Sequence, residues 1–233
     1  MAYDALKEAV REANLDIVEA GLVVLTWGNA SGVDREADVM AIKPSGVPYE
    51  KVQPADMVVL SLSTGEVVDG DLNPSSDTPT HLHLYREFES IGGVVHTHSS
   101  YAVSWAQAER ELPCLGTTHA DHFYGTIPVT RRMDAEEIRE AYEHNTGVVI
   151  VERFREGRID PLEIPGVLVA GHGPFAWGET PGRAVENAIV LESVARMALH
   201  TYLLNLESGP IGQALLDKHF LRKHGAGAYY GQG

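Results

Sequence analysis

Three histidines carry the sharpest chemistry in this sequence. Val94-Val95-His96-Thr97-His98-Ser99 sets two imidazoles at positions i and i+2. On a strand, alternate side chains share a face, so His96 and His98 project together, their Cα atoms roughly 6–7 Å apart at a rise of ~3.3 Å per residue. Two imidazoles converging from one strand end can bind one cation. Taken alone, His-x-His also fits two exposed histidines. Here an apolar run precedes the pair and a helix start follows it, which places it at the end of a buried strand, where sites in α/β folds collect. His172 follows a second apolar run, Val167–Ala170, and is flanked by glycines that let backbone approach a ligand closely. It fits a third ligand, or a turn histidine bonded to backbone. Three imidazole ligands leave a fourth position open, the arrangement of catalytic zinc sites.

Two polar loops offer anion sites. Asn73–Thr80 carries Ser75 and Ser76 ahead of a predicted helix, whose free backbone N–H groups suit a phosphate oxygen. Ile42–Gly46 adds Lys43 as a point charge, with Ser45 and Gly46 beside it. Either loop also reads as an ordinary capped turn. Asp77 fits a fourth metal ligand, a base, or the N-cap of the helix after it. Asp121 lies in a loop after a short apolar stretch. The segment 217–225, with His219 and Arg222, is locally basic and leads to Tyr229-Tyr230.

The elements that must position these groups follow from periodicity. Residues 4–20 read as an amphipathic helix with Leu6, Val10, Ala13 and Ile17 on one side, Asp4 as cap and Gly21 as stop. Leu22–Thr26 and Val39–Ile42 read as short strands around a polar turn. Met57–Leu62 and Glu66–Asp69 bracket Ser63-Thr64-Gly65 as a hairpin. Thr80–Phe88 reads as a helix, Gly93–His98 as a strand, and a helix capped near Ser99 or Ser100 follows. Asp134 opens a helix with Glu137 as capping-box partner. Val148–Phe154 and Val167–Ala170 read as strands. Thr180-Pro181 opens a long helix towards Asn205, and Ile211–His224 is a last helix. Hairpins followed by strands interleaved with helices predict an α/β protein: a three-layer α/β/α sandwich on a central mixed, mostly antiparallel sheet. No GxGxxG or GxxxxGK[ST] loop occurs, which argues against a dinucleotide or ATP enzyme.

Composition narrows the class. The 233 residues include 18 Lys+Arg and 33 Asp+Glu, a formal net charge of −15. That balance is a poor footprint for nucleic acid or an anionic membrane. A single cysteine, Cys114, excludes an intrachain disulfide framework and a Cys-rich zinc ribbon, and fits a reducing cytoplasm. Eleven histidines stand against it, so imidazole and oxygen must hold any metal. No basic n-region with an apolar run opens the chain and no window approaches ~18 apolar residues. The expectation is one cytoplasmic domain over residues 1–233.

In order along nearly the whole chain, LTWGNASGVDR, IKPSGVPY, PSSDTPTH, GGVVHTHS, GTTHADHFYGTIP, GVLVAGHGPFAWG and LLDKHFLRKHGAGAYYGQ resemble the class II (metal-dependent) aldolase/epimerase family. His122 stands where an aromatic residue is common. The resemblance implies that His96, His98 and His172 ligate a divalent cation, usually zinc, with Asp77 as an added ligand or base; manganese or another divalent cation suits the same ligands. It implies that Asn29, Lys43, Ser45, Gly46, Ser75 and Ser76 hold a sugar and its 5-phosphate. Asp121 and a neighbouring subunit's copy of Tyr230 would form the acid/base pair, and Glu143, His219 and Arg222 would reach in across the interface. The implied assembly is a homotetramer with sites between subunits, the tail 211–233 completing a neighbour's site. The implied activity is C4 epimerisation of a ketopentose 5-phosphate by retro-aldol cleavage and re-addition, in pentose (arabinose) breakdown. A class II sugar-phosphate aldolase is the alternative, and a non-catalytic adducin-like scaffold is a weaker one because all three histidines are present.

Overall fold

The computed structural model describes residues 3–224, 228 and 229. Helix α1 (Asp4–Glu19) opens the chain; Asp4 is its first helical residue, and Tyr3, without a side-chain cap bond, holds the N-cap position. Gly21 at φ +71° ends it as expected. Four strands follow: β1 (Gly28–Asp34), β2 (Val39–Ile42), β3 (Val58–Ser61) and β4 (Val67–Asp69). Then come α2 (Thr78–Glu87), β5 (Gly93–Thr97), α3 (Ser100–Gln107), the short α4 (Thr117–Ala120) and α5 (Ala135–Gly157). The chain closes with β6 (Gly166–Leu168), β7 (Pro174–Gly178), α6 (Pro181–Leu204) and α7 (Gln213–His224).

The seven strands form one sheet in the order β4-β3-β2-β1-β5-β7-β6, and every neighbouring pair is antiparallel. This corrects the expectation of a mixed sheet; the parallel contact among the described residues is the isolated bridge Val129–Leu168. Register sorts the two faces. Ala30, Val95 and Ala176 are cross-strand partners and pack with Ala13 and Ile17 of α1 and Ala184, Val185 and Ala188 of α6. One residue over, Val94 pairs with Trp177, and His96 with both Asn29 and Phe175. That opposite face meets Leu84 and Tyr85 of α2 and Ile150, Val151 and Phe154 of α5. Each fully buried Val, Leu, Ile or Phe contributes roughly 1.5–3 kcal/mol.

Two strand predictions are overturned. Leu22–Thr26 is a loop, and the strand expected there is the polar run Gly28–Asp34. Asn14 of α1 explains how that run is held: its amide donates to the Val10 and Ala30 carbonyls at 2.8 and 2.9 Å and accepts the Ala30 N–H at 2.9 Å. Val148–Phe154 is the second half of α5, because Gly147, Ile150, Val151 and Phe154 recur at helical spacing on its buried side. The Asp134 capping box forms, its carboxylate accepting the Glu136 and Glu137 N–H groups at 2.8 and 2.9 Å. The Ser99 cap does not. Ser99 holds the N-cap position without a side-chain bond, and Glu192 of α6 instead accepts the Tyr101 and Ala102 N–H groups at 2.9 and 2.8 Å.

Candidate metal and sugar-phosphate site

Register builds the centre of the site. Asn29 and His96 are Cα partners on the α2/α5 face of the sheet, at the end where β5 finishes. His98 follows one residue beyond β5, and His172 lies in the turn between β6 and β7, where Gly171 takes φ +71°. The three imidazoles converge: one nitrogen of each lies within 4.8 Å of the other two. His96 Nδ1 donates to the Pro174 carbonyl at 2.9 Å, which leaves the lone pair on Nε2. Phe175 stacks on the His96 ring at 4.2 Å and fixes its plane. His98 Nε2 lies 3.1 Å from His96 Nε2. Two nitrogens on one cation at ~2.0–2.1 Å in a tetrahedral shell stand about this far apart. Burial pushes the His96 imidazole down to about 3; burial, then the neighbouring His96 and His98, do the same to His172. Neutral imidazoles are what a cation requires. The donor set therefore fits a divalent metal.

The rest of the cleft opens because β2 leaves β1. Their pairing runs from Asp34–Val39 to Ser31–Ile42 and stops. Beyond it, the Lys43–Ser45 segment pairs with Asn73–Ser75 instead: Ser45 N–H donates to the Asn73 carbonyl at 2.9 Å and Ser75 N–H to the Lys43 carbonyl at 3.1 Å. The two loops read separately in the sequence are thus one structure. A cleft of about 390 Å³ lies between them and the histidines, within the range of small-molecule sites. Asn29, Lys43, Ser45, Gly46, Ser75 and Ser76 all line it, as do Asp77 and the three histidines. Gly46 turns at φ +69° with open space beyond its Cα, so the loop presents backbone there.

Lys43 is 3% exposed. Its ammonium donates to the Pro44 carbonyl at 3.2 Å and lies 4.6 Å over the Tyr49 ring, with no carboxylate partner among the described residues. Burial lowers its pKa. Asp77 is turned towards Asn29, whose Nδ2 donates to Asp77 Oδ2 at 2.6 Å and to Ser75 Oγ at 3.2 Å. Its oxygens lie outside the compact three-histidine cluster.

Glu143 lines the cleft of its own chain. Helix α5 breaks at Ala141, and the Glu143 carbonyl just beyond the break accepts the Thr80 hydroxyl at 2.5 Å. Tyr142, next to it, also lines the cleft and brings its hydroxyl to 3.3 Å from His172 Nδ1. Sequence reasoning missed Tyr142, and its adjacency to Glu143 was the available signal. It also missed Trp27, at the cleft wall with its ring 6.4 Å from His98.

Asp121, His219 and Arg222 do not line this cleft. They form their own cluster where the end of α4 meets α7. His219 Nδ1 is 2.9 Å from Asp121 Oδ1, and Arg222 Nη2 donates to both oxygens at 2.9 and 3.0 Å. Lys223 Nζ lies 3.5 Å away. Burial alone would raise the Asp121 pKa, but the bonds from His219 and Arg222 and the charges of Lys223 and Arg222 outweigh it and lower it. Tyr230 lies outside the described residues. Among those described, no helix is long and apolar enough to cross a membrane.

Known proteins share this architecture. An L-fuculose 1-phosphate aldolase superimposes with a TM-score of 0.78 at 25% identity, covering 94% of this chain and 96% of that one. YgbL of Escherichia coli, a putative aldolase/epimerase/decarboxylase, gives 0.71 at 20% identity over 94% and 99%. The L-fuculose-1-phosphate aldolase of Thermus thermophilus gives 0.67 at 23% identity over 86% and 96%. Class II aldolases use a divalent metal, and the His96, His98 and His172 cluster could bind one. The class II aldolase and adducin N-terminal domain model matches residues 8–199, and the chain belongs to that family.

Proposed function

We propose that the protein interconverts L-ribulose 5-phosphate and D-xylulose 5-phosphate, inverting C4 by cleaving and re-forming C3–C4. The observation that carries this reading is the pairing, in one cleft, of a three-imidazole metal cluster with a buried ammonium that has no carboxylate partner among the described residues. A buried charge without a partner is costly, so Lys43 is suited to an anion, and a sugar phosphate supplies one. Ser45, Ser75, Ser76 and the Gly46 backbone add donors around it.

The chemistry follows from the ketose. The C4–H bond is not adjacent to the C2 carbonyl, so direct deprotonation leaves a carbanion without stabilisation. Cleavage of C3–C4 places the electron pair on C3, where the carbonyl delocalises it. The departing fragment is glycolaldehyde phosphate. His96, His98 and His172 would hold a divalent cation, zinc by the family's usage, which would supply Lewis-acid stabilisation of the charge on the ketose oxygens. Asn29 orients the Asp77 carboxylate at the cleft wall. The Lys43 and Ser75 loops keep the phosphate while the aldehyde turns over. C3 then attacks the other aldehyde face.

The C4 hydroxyl must lose a proton on one side and regain one on the other, so two groups are needed. Asp121 and Tyr230 fill those roles when a neighbouring subunit brings its α4/α7 edge to this cleft, as in a homotetramer. His219 and Arg222 hold Asp121 and would accompany it. Exposed Met197, Leu203 and Leu204 on α6, with Leu206 just beyond, support such an assembly.

A sugar-phosphate aldolase that stops after cleavage is the second reading, favoured by the 25% identity to L-fuculose 1-phosphate aldolase. Family aldolases carry Glu where this chain has Asp77, and the shorter carboxylate favours epimerisation. Incubation with L-ribulose 5-phosphate and zinc or manganese tests both: D-xylulose 5-phosphate should form without free fragments. Stoichiometric release of dihydroxyacetone and glycolaldehyde phosphate would establish the aldolase instead. Asp77→Glu should raise condensation of those two fragments; an unchanged rate removes Asp77 from the discrimination.

A further inference from the structure

Two buried side-chain polar atoms have no hydrogen-bond partner among the described residues, Asn29 Oδ1 and His81 Nε2. They belong to one arrangement. Asn29 and Ser31 lie two apart on one face of β1, while Asp77 and His81 lie four apart, one turn, at the start of α2. Asn29 Nδ2 donates to Asp77 Oδ2 at 2.6 Å, and Ser31 Oγ meets His81 Nδ1 at 2.7 Å. Those two contacts are rungs between strand and helix, and the unpartnered atoms sit at diagonal corners.

The far end of the chain of bonds sets the proton positions. The Tyr85 oxygen is 2.8 Å from Ser31 Oγ, and this side chain is buried with no other hydrogen-bond acceptor for its hydroxyl among the described residues. Its own O–H therefore has Ser31 Oγ as acceptor. The Ser31 hydroxyl proton then points at His81 Nδ1, which must present its lone pair. Burial also holds this ring neutral, pushing its pKa down to about 3 against the pull of Asp77. His81 is thus the Nε2–H tautomer. The unpartnered atom of His81 is a donor and that of Asn29 is an acceptor.

We propose that His81 is a positioning residue whose Nε2–H holds Asn29 Oδ1 through one buried water, and so fixes the Asn29 amide with Nδ2 towards Asp77 and Ser75. A flipped amide would set Oδ1 against the Asp77 carboxylate and turn it from the cleft wall. The chain Tyr85–Ser31–His81–Asn29–Asp77 then runs with one polarity, and the sheet dictates where the carboxylate stands. The kinetic consequence rests on Asp77 being a working carboxylate of the proposed epimerase.

Long-range ¹⁵N–¹H correlation spectra of the full-length, zinc-loaded protein read the tautomer without substrate. The expected result is Nε2–H with a slowly exchanging proton; an Nδ1–H tautomer overturns the proposal. His81→Phe keeps a ring but removes both nitrogens, whereas His81→Gln offers an acceptor to Ser31 and a donor to Asn29. His81→Phe should lower kcat on the order of ten- to a hundredfold with KM little changed, and His81→Gln should recover most of it. Equal losses in the two variants overturn the proposal. If L-ribulose 5-phosphate is not turned over, the Asn29 side-chain amide resonances still decide: they should shift in His81→Phe and return in His81→Gln.

Discussion

The histidine cleft and the α4/α7 edge carry the residues of one proposed reaction, yet they are built oppositely. In the cleft, groups are buried ahead of their partners: imidazole nitrogens face one another at 3.1 Å, and Lys43 is enclosed without a carboxylate among the described residues. At the edge, charges are already matched, with Asp121 meeting His219, Arg222 and Lys223. The first region is organised for ligands that arrive. The second is self-satisfied in one chain, and its carboxylate must be released or shared before it can move a proton. Strand register, which is hard to shift, sets the cleft; ion pairs on one short helix set the edge.

The largest effect expected from breaking this contrast falls on the histidines. His96→Ala removes one ligand and the ring that Phe175 stacks on. Turnover should fall by several kcal/mol of lost transition-state stabilisation, about a thousandfold or more. Metal per chain, measured on purified protein, should fall with it. Full metal content in His96→Ala would mean that the cluster is not the metal site.

Lys43→Met separates ligand binding from stability. The loss of a charge-assisted bond should raise KM for the sugar phosphate by ~10- to 100-fold, from roughly 1.5–3 kcal/mol. Without ligand, the melting temperature should hold or rise, because a buried charge is replaced by an apolar chain of similar volume. A destabilised Lys43→Met with unchanged KM would make Lys43 a structural cation like those of the edge.

Much of the cleft was legible in the sequence because its signals are local. His-x-His on an apolar run, Gly-His-Gly after a second one, and two hydroxyl-rich loops need no long-range information. What failed were segments whose fate depends on distant partners. Leu22–Thr26 has β-forming residues, but Leu25 is 75% exposed at φ +56° and the segment makes a loop. Gly28–Asp34 lacks them and forms a central strand, because Asn14 clamps Ala30 and the Asn29 and Ser31 side chains meet polar partners on α2. Val148–Phe154 has strand composition and helical spacing, and the spacing decided. Strand β7 hid inside the glycine-rich stretch after His172. The divergence of β2 from β1, which opens the cleft, follows from the loop ladder and has no local signature.

The smallest effect concerns the edge, and acid exposes it. The folded-state pKa of Asp121 is lowered, by His219, Arg222 and Lys223 against its burial. A carboxylate of this kind contributes stability that is fully present above its unfolded value, ~3.9. That contribution is lost as pH falls through the lower folded value. Protonation weakens the bidentate contact with Arg222 and leaves several cations of α7 facing one another. As pH falls below about 4, α7 should lose hydrogen-exchange protection before β5 does. Asp121→Asn at pH 7 should reproduce part of that loss, on the order of 1 kcal/mol. The cleft should not respond, since Asp121 does not line it and its strands are held by register and apolar packing. If Asp121→Asn instead loosens β5 or α2, the two regions are mechanically one, and the edge positions the histidines as well as the proton carrier.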